Sequence, residues 1–288
     1  MTTTATETDR TDSAEAAAPN AAAAQTERTA RLARVLLPLA FGVLALVAWD
    51  LIVRINDIPH YILPGPILVI ETLIADWHTL YPSLLVTIQI TLMALAVAVA
   101  GGVTLAILFT QSKWVELSFF PYAVILQVTP IVAIAPLILI YVDSTYAALL
   151  ICAWIVAFFP ILSNTTLGLN SADHNLINLF QLYGASRWQV LWHLRLPAAM
   201  PYFLGGLKIA GGLALIGAIV AEFAAGTAGT ESGLAYRILE AGYRLNIPRM
   251  FASLILISLT GIVIFLFFTF LSHMVLRKWH ESAMKREN

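Results

Sequence analysis

Long apolar stretches dominate the chain and predict its architecture. A bilayer requires roughly 17 to 25 apolar residues for a helical span, and six stretches reach or approach that length: 35–53, 84–109, 117–142, 146–162, 206–225 and 250–275. A polar-flanked segment, 163–205, separates the fourth stretch from the fifth. The pattern predicts an all-α membrane protein with about six transmembrane helices.

The two ends of the chain lack this pattern. Residues 1–30 are rich in Ala, Thr and Glu without apolar periodicity, so we expect a disordered tail. We expect residues 31–280 to form the membrane domain and residues 281–288 to form a short C-terminal tail. The basic residues before the first span lead into it without a convincing cleavage site, so no secretory signal is expected.

Composition supports the membrane class and excludes others. Hydrophobic residues make up 59% of the chain and charged residues 11%, and the formal net charge is -1. These shares lie far from those of soluble domains, and the scattered basic residues exclude a nucleic-acid footprint. The single cysteine, Cys152, excludes a disulfide framework and is expected to be a small core residue.

Basic residues near the span ends predict the orientation. One side would carry Arg28, Arg31, Arg34, Lys113, Arg187, Arg195, Arg277, Lys278, Lys285 and Arg286. The other would carry only Arg54, Arg237, Arg244 and Arg249. By the positive-inside rule, both termini and segment 163–205 are expected in the cytoplasm.

Segment 163–205 predicts two short helices. Ser171 could cap a helix from Ala172, with Asp173 in its first turn, and Gly184 could end that helix in a left-handed conformation. Ser186 could cap a second helix that stops before Pro197. The apolar side chains between the caps must face headgroups or protein, so an interfacial amphipathic hairpin and a docking loop both stay open.

The same segment resembles the cytoplasmic docking loop of permease subunits of binding-protein-dependent ABC importers. The resemblance lies in the type and spacing of Gly184, Ala185, Leu194, Leu196 and Pro197. The Glu-Ala-Ala that opens the family motif reads Asn178-Leu179-Phe180 here, so the family glutamate is absent. The resemblance implies a type I ABC importer permease fold whose coupling helix, marked by Asn178 and these residues, contacts an ATP-binding subunit.

Further runs resemble the nitrate, sulfonate and taurine branch of that family, and the match covers roughly residues 60–275. They are Leu63-Pro64-Gly65-Pro66, the proline-bounded run 130–137 and Val220-Ala221-Glu222, with a departure at Tyr141-Val142-Asp143. The resemblance implies a bacterial inner-membrane importer of a small solute. It also implies an extracytoplasmic solute-binding protein and a permease homodimer as partners.

Polar residues within the spans are the candidates for a translocation pathway, since burying them is costly. They are Gln127, Thr129 and Glu222, with Gln89 and Asp50 as weaker candidates. Structural pairing of Glu222 and a simple proline kink near Gln127 are equally open interpretations. Lys208 is expected to extend its ammonium group to the membrane interface. The glycines at 205, 206, 211, 212 and 217 are expected to allow close packing of the fifth span. Residues 231–249 are expected to form a short external helix.

Catalytic and nucleotide-binding motifs are absent from the sequence. There is no phosphate-binding loop, so no cofactor is expected on this chain and ATP would be bound by a partner subunit. Neither a metal-ligand spacing nor a Ser-His-Asp set is found, so the chain is not expected to be an enzyme by itself. A self-sufficient secondary transporter or channel remains the alternative, although no internal repeat is seen.

Overall fold

The structure, a computed structural model, describes residue 33, residues 36–226 and residues 232–277. The chain divides into two compact units, residues 1–67 and residues 68–288. In the first unit, α1 (Leu36–Ile55) is an apolar helix of spanning length. An ion pair joins Arg54 Nε to Asp50 Oδ2 at 2.7 Å near its end. The predicted tails, 1–30 and 281–288, lie outside the described residues.

The second unit is a helical bundle. Its elements are α2 (Pro66–Ala75, which begins in the first unit), α3 (Trp77–Gln111), α4 (Lys113–Val128), α5 (Ile131–Tyr141), α6 (Thr145–Leu169), α7 (His174–Leu182), α8 (Arg187–Val190), a π-helical turn (Leu191–Arg195), α9 (Leu196–Ala225), α10 (Leu234–Tyr243) and α11 (Ile247–Leu276). No strand occurs among the described residues. Within the described part of the chain, five helices are apolar and long enough to span a membrane, and the number of spans is six if α4 and α5 together form one.

The six predicted spans are therefore confirmed, with differences in their bounds. The fourth, predicted over 146–162, extends through α6 to Leu169. The third, predicted as one span over 117–142 with bent geometry at its prolines, is broken into α4 and α5, which meet at an angle of 102°. Pro130 has no N–H to continue the helix, and Thr129 and Pro130 take extended backbone there.

Helix α6 forms the centre of the bundle and packs mainly against α9 and α3. Glycines of α9 allow that approach: a Cβ at Gly206 would lie 2.8 Å from Asn164 Cβ, and one at Gly217 would lie 2.8 Å from Ala153 Cα. Cys152 is buried in the same region, as predicted. A Cβ added at Gly205 or Gly212 would have no atom within 4 Å. The close packing within the subunit therefore uses only some of the glycines that were predicted to allow it.

The fifth span begins much earlier than predicted, and the expected stop before Pro197 is wrong. The backbone remains helical from Arg187 through a π-helical turn into α9. In that turn the Leu196 N–H donates to the Leu191 carbonyl, five residues back. Pro197 follows this wider turn directly, so the proline lies within a continuous helical segment at the point where the hydrogen-bonding pattern changes.

Candidate functional site: the elbow and the far end of the bundle

The segment between α6 and α9 is a helical hairpin, which we call the elbow (residues 173–195). Its first helix, α7, begins at His174 because the Asp173 side chain accepts a hydrogen bond from the Asn175 N–H at 2.8 Å. The predicted cap at Ser171 is wrong. The Ser171 hydroxyl instead donates to the Gly168 carbonyl at 2.8 Å, at the end of α6.

The turn of the elbow is held by backbone hydrogen bonds. Gly184 has φ +70°, as predicted for the left-handed residue that ends α7. The Ala185 N–H donates to Phe180 O and the Gly184 N–H donates to Gln181 O, both at 2.9 Å. This pair of bonds is a Schellman motif, so the turn has a defined geometry.

The second helix of the elbow has the predicted cap. The Gln189 N–H donates to Ser186 Oγ at 3.3 Å, and the Ser186 N–H donates to Gln189 Oε1 at 2.7 Å. This reciprocal capping box fixes the start of α8. Helix α8 continues through the π-helical turn into α9, so the second helix of the elbow and this membrane span form one continuous helical segment.

Large apolar side chains remain exposed on the elbow. Leu182 is 85% exposed, Tyr183 84%, Trp188 62% and Trp192 65%. A cavity of about 400 Å³ beside them is lined only by elbow residues, among them Phe180 and Tyr183. Side chains of this kind are enriched at protein interfaces and also at the lipid headgroup boundary, so this surface fits both a docking loop and an interfacial hairpin.

The predicted docking residues fall on two parts of this hairpin. Asn178 lies on the exposed side of α7, while Gly184 and Ala185 form its turn. Leu194, Leu196 and Pro197 lie half-buried at the base of the elbow, where it joins α9. The structure thus places three of them on α7 and its turn, and three at the base.

Two predicted pathway residues lie together at the break between α4 and α5. Gln127 and Thr129 line a cavity of about 320 Å³, together with Pro160 of α6 and Leu213 of α9. The Thr129 hydroxyl bonds to the Ile125 carbonyl of its own helix. Gln89 is exposed on α3 and does not line this cavity.

Glu222 lies apart from them, at the end of the bundle opposite the elbow, which we call the far end. Its side chain is buried, with 2% of the residue exposed. Oε1 accepts from the Thr87 hydroxyl at 2.8 Å, and Oε2 accepts from the Ala235 N–H at 2.9 Å. The Leu234 N–H donates to the Thr87 oxygen at 2.9 Å. Glu222 and Thr87 therefore cap the first turn of α10.

The sequence did not indicate two members of this cluster. Thr87 lies 147 residues before Leu234, and no local pattern marks it as a capping residue. Gly233 precedes α10, and a Cβ there would lie 2.1 Å from the Glu222 carboxyl carbon. Only a glycine fits at this position while Glu222 keeps its place.

Ion pairs complete the far end. Helix α10 lies within the predicted segment 231–249, and its Arg237 donates to Ser83 Oγ at 2.8 Å and to Glu240 Oε2 at 2.9 Å. Arg249, at the start of α11, pairs with Asp76 before α3. The contact of Arg237 with Ser83 attaches α10 to α3, and the pair of Arg249 with Asp76 attaches the start of α11 to the residue before α3. Lys208 of α9, by contrast, lies over the Phe265 ring at 5.4 Å.

Known proteins are similar to this chain in sequence and in fold. Residues 98–280 match the family described as binding-protein-dependent transport system inner membrane component. A formylaminopyrimidine transport permease of Halalkalibacterium halodurans is 31% identical over 227 residues, covering 78% of this chain and 89% of the relative. A riboflavin transport system permease of Chloroflexus aurantiacus is 32% identical over 247 residues, covering 83% and 88%.

Matches at 27–28% identity include permeases named for aliphatic sulfonates in Bacillus subtilis and for taurine in Escherichia coli. A solved structure of an amino acid ABC transporter has a TM-score of 0.54 and 20% identity, and the alignment covers 68% of this chain and 92% of that chain. This likeness confirms the type I permease fold. The chain belongs to the family of inner-membrane components of binding-protein-dependent transport systems, in its nitrate, sulfonate and taurine branch.

Proposed function

We propose that this chain is the membrane-spanning subunit of an ATP-driven importer of a small solute. Two copies would enclose the path, an extracytoplasmic binding protein would deliver the solute, and separate subunits would bind and hydrolyse ATP. The elbow and both termini would lie in the cytoplasm, in agreement with the positive-inside rule. No cofactor would be bound by the chain itself.

The observation that carries the proposal is the construction of the elbow. A Schellman turn and a capping box order a hairpin that exposes aromatic and aliphatic side chains. Its second helix is continuous with α9. When nucleotide binding moves the ATP-binding subunits, a hairpin seated in them would move with them, and α9 would tilt. Such rigid-body motion would open the path to alternate sides.

The proposed path includes the break between α4 and α5. Extended backbone at Thr129 and Pro130 removes helical hydrogen bonds within the span, and irregular backbone is tolerated in a membrane where it lines a cavity. Gln127 and Thr129 would contact the solute there. The relatives are named for the transport of formylaminopyrimidine, riboflavin and aliphatic sulfonates. We therefore propose that the solute is a small organic or sulfonated compound. Gln89 and Glu222 stay predictions as pathway residues.

The test is a mild-detergent purification of the tagged chain from its native membrane, followed by reconstitution with the recovered ATP-binding subunit. The Gly184→Pro variant should lose that subunit and stimulated ATP hydrolysis, because proline cannot adopt φ +70°. Gly205→Ala is the matched control, since Gly205 is helical with nothing within 4 Å of its Cβ position. Uptake that proceeds without any ATP-binding subunit would instead establish the secondary transporter.

A further inference from the structure

A second cavity of the elbow differs in chemistry from the one beside its exposed aromatic residues. It encloses about 280 Å³ between the elbow and the last residues of α3. Its polar lining consists of Thr110, Gln111, Gln181, Arg187 and Arg195. We call it the arginine cavity. None of its lining residues carries a carboxyl group, so its charge is uncompensated from within.

The charge of the two arginines is the second feature of this cavity. Across the described ranges, neither Arg187 nor Arg195 has a carboxylate within ion-pair distance. The other cation close in sequence to the end of α3, Lys113, pairs with Glu116 at 2.8 Å. Two unpaired guanidinium groups beside glutamine amides form a site for an anion, since each arginine presents a planar set of donors that matches phosphate.

The arginine cavity lies at the boundary between apolar and polar surface. The apolar stretch of α3 ends at Phe109, and Thr110 and Gln111 are the polar residues that follow. Ile177 and Val190 of the elbow add apolar lining to the same cavity. A basic site with apolar walls at the end of a membrane span lies at the depth of lipid headgroups.

The arginine cavity adjoins the aromatic cavity, since Ala185 lines both, but the rest of its lining is different. The aromatic cavity is lined by elbow residues alone, whereas the arginine cavity uses the end of α3 as one wall. Along α7, Ile177 and Gln181 contribute to the arginine cavity, while Phe180 and Tyr183 contribute to the aromatic one. The polar lining of the arginine cavity is therefore not shared with the aromatic cavity.

We propose that the arginine cavity binds the phosphate of an anionic phospholipid headgroup. Arg187 and Arg195 would contact the phosphate oxygens, the glutamine amides would donate to the headgroup, and the acyl chains would lie along the apolar walls. Bound lipid would then brace the elbow against the end of α3. The inference does not depend on ATP-driven transport, because it concerns the isolated chain in a bilayer.

The test uses the full chain, purified in a neutral detergent and mixed with dioleoylphosphatidylglycerol or dioleoylphosphatidylcholine. Lipid retained after size-exclusion chromatography is counted by native mass spectrometry. The phosphatidylglycerol should bind preferentially, because choline cancels the phosphate charge in the other lipid. The double variant Arg187→Gln, Arg195→Gln should weaken phosphatidylglycerol binding about tenfold or more, since each basic residue adds about 1 kcal/mol at an anionic surface.

Arg277→Gln is the matched control, because it removes one exposed positive charge from the same end of the bundle outside the cavity. Arg187→Lys, Arg195→Lys keeps the charge and should retain most of the preference for phosphatidylglycerol. Far-ultraviolet circular dichroism checks that each variant is folded.

Three results would overturn the proposal. Equal retention of phosphatidylglycerol by wild type and the double glutamine variant would exclude the cavity as the lipid site. Binding of inorganic phosphate alone, undiminished by added lipid, would assign the site to a free anion. Loss of an ATP-binding subunit from the variant with lipid retention unchanged would assign the arginines to protein docking.

Discussion

The hydroxyl group of Thr87 joins three helices at the far end of the bundle. It donates to Glu222 of α9 and accepts from the Leu234 N–H of α10, while its own backbone belongs to α3. Thr87 is fully buried, so water cannot replace either bond. A buried polar group that loses its partner costs free energy comparable to its desolvation.

Replacing Thr87 with valine should therefore lower the free energy of unfolding by about 1 to 3 kcal/mol. The variant keeps the shape of the side chain but leaves Glu222 Oε1 and the Leu234 N–H without this partner. Thr91→Val is the control. Thr91 is equally buried one turn away, but among the described residues its hydroxyl bonds to a single group, the Thr87 carbonyl of the same helix.

The midpoint of thermal unfolding in detergent is measured for the wild type and for both variants. The capping role of Thr87 would be contradicted if the two valine variants had the same midpoint. Neither the residue type nor its spacing marked Thr87 in the sequence, because its partners lie 135 and 147 residues away. Contacts of that range depend on how the helices pack, whereas Glu222 was recognisable as a carboxyl group within an apolar span.

The elbow shows which properties of an element follow from local chemistry. Gly184 and Ser186 were predicted correctly because a left-handed turn and a capping box each depend on a few neighbouring residues. The expected stop at Pro197 failed for a physical reason. A proline disfavours the α-helical hydrogen bond, but the π-helical turn before it takes a different bonding pattern that the sequence does not indicate.

A tyrosine pair tests which end of the molecule receives the ATP-binding subunit. Tyr183 at the end of α7 and Tyr243 at the end of α10 are 84% and 87% exposed, and α9 separates their helices. Tyr183→Ala should weaken association with the subunit about tenfold or more, since burying an aromatic side chain contributes about 1.5 to 3 kcal/mol. Tyr243→Ala should leave the affinity unchanged.

Affinity is measured by titrating the purified subunit into the chain reconstituted in nanodiscs. A loss caused by Tyr243→Ala instead of Tyr183→Ala would place the docking surface at the far end. Unchanged affinity in both variants would remove Tyr183 from the interface.

At the scale of the whole molecule, the bilayer makes the architecture predictable. Each span needs a long apolar stretch because backbone groups in lipid must be bonded within the helix, so the six spans could be found from hydropathy. The 102° angle between α4 and α5 could not be predicted from hydropathy, because Pro130 indicates a break in the helix but not the direction of the bend. The cavity at Gln127 and Thr129 depends on that angle and on α6 and α9 beside it.

The orientation in the membrane can be tested with the only cysteine of the chain as an internal control. Cys152 is fully buried in α6, so a water-soluble maleimide should not label the wild-type protein. Tyr243→Cys should be labelled in intact spheroplasts, and Tyr183→Cys only after permeabilisation. This order is expected because the elbow end carries the larger share of Lys and Arg near the spans, which favours the cytoplasm. The reverse order of labelling would place the elbow outside, where no ATP-binding subunit could reach it, and the proposed coupling would fail with it.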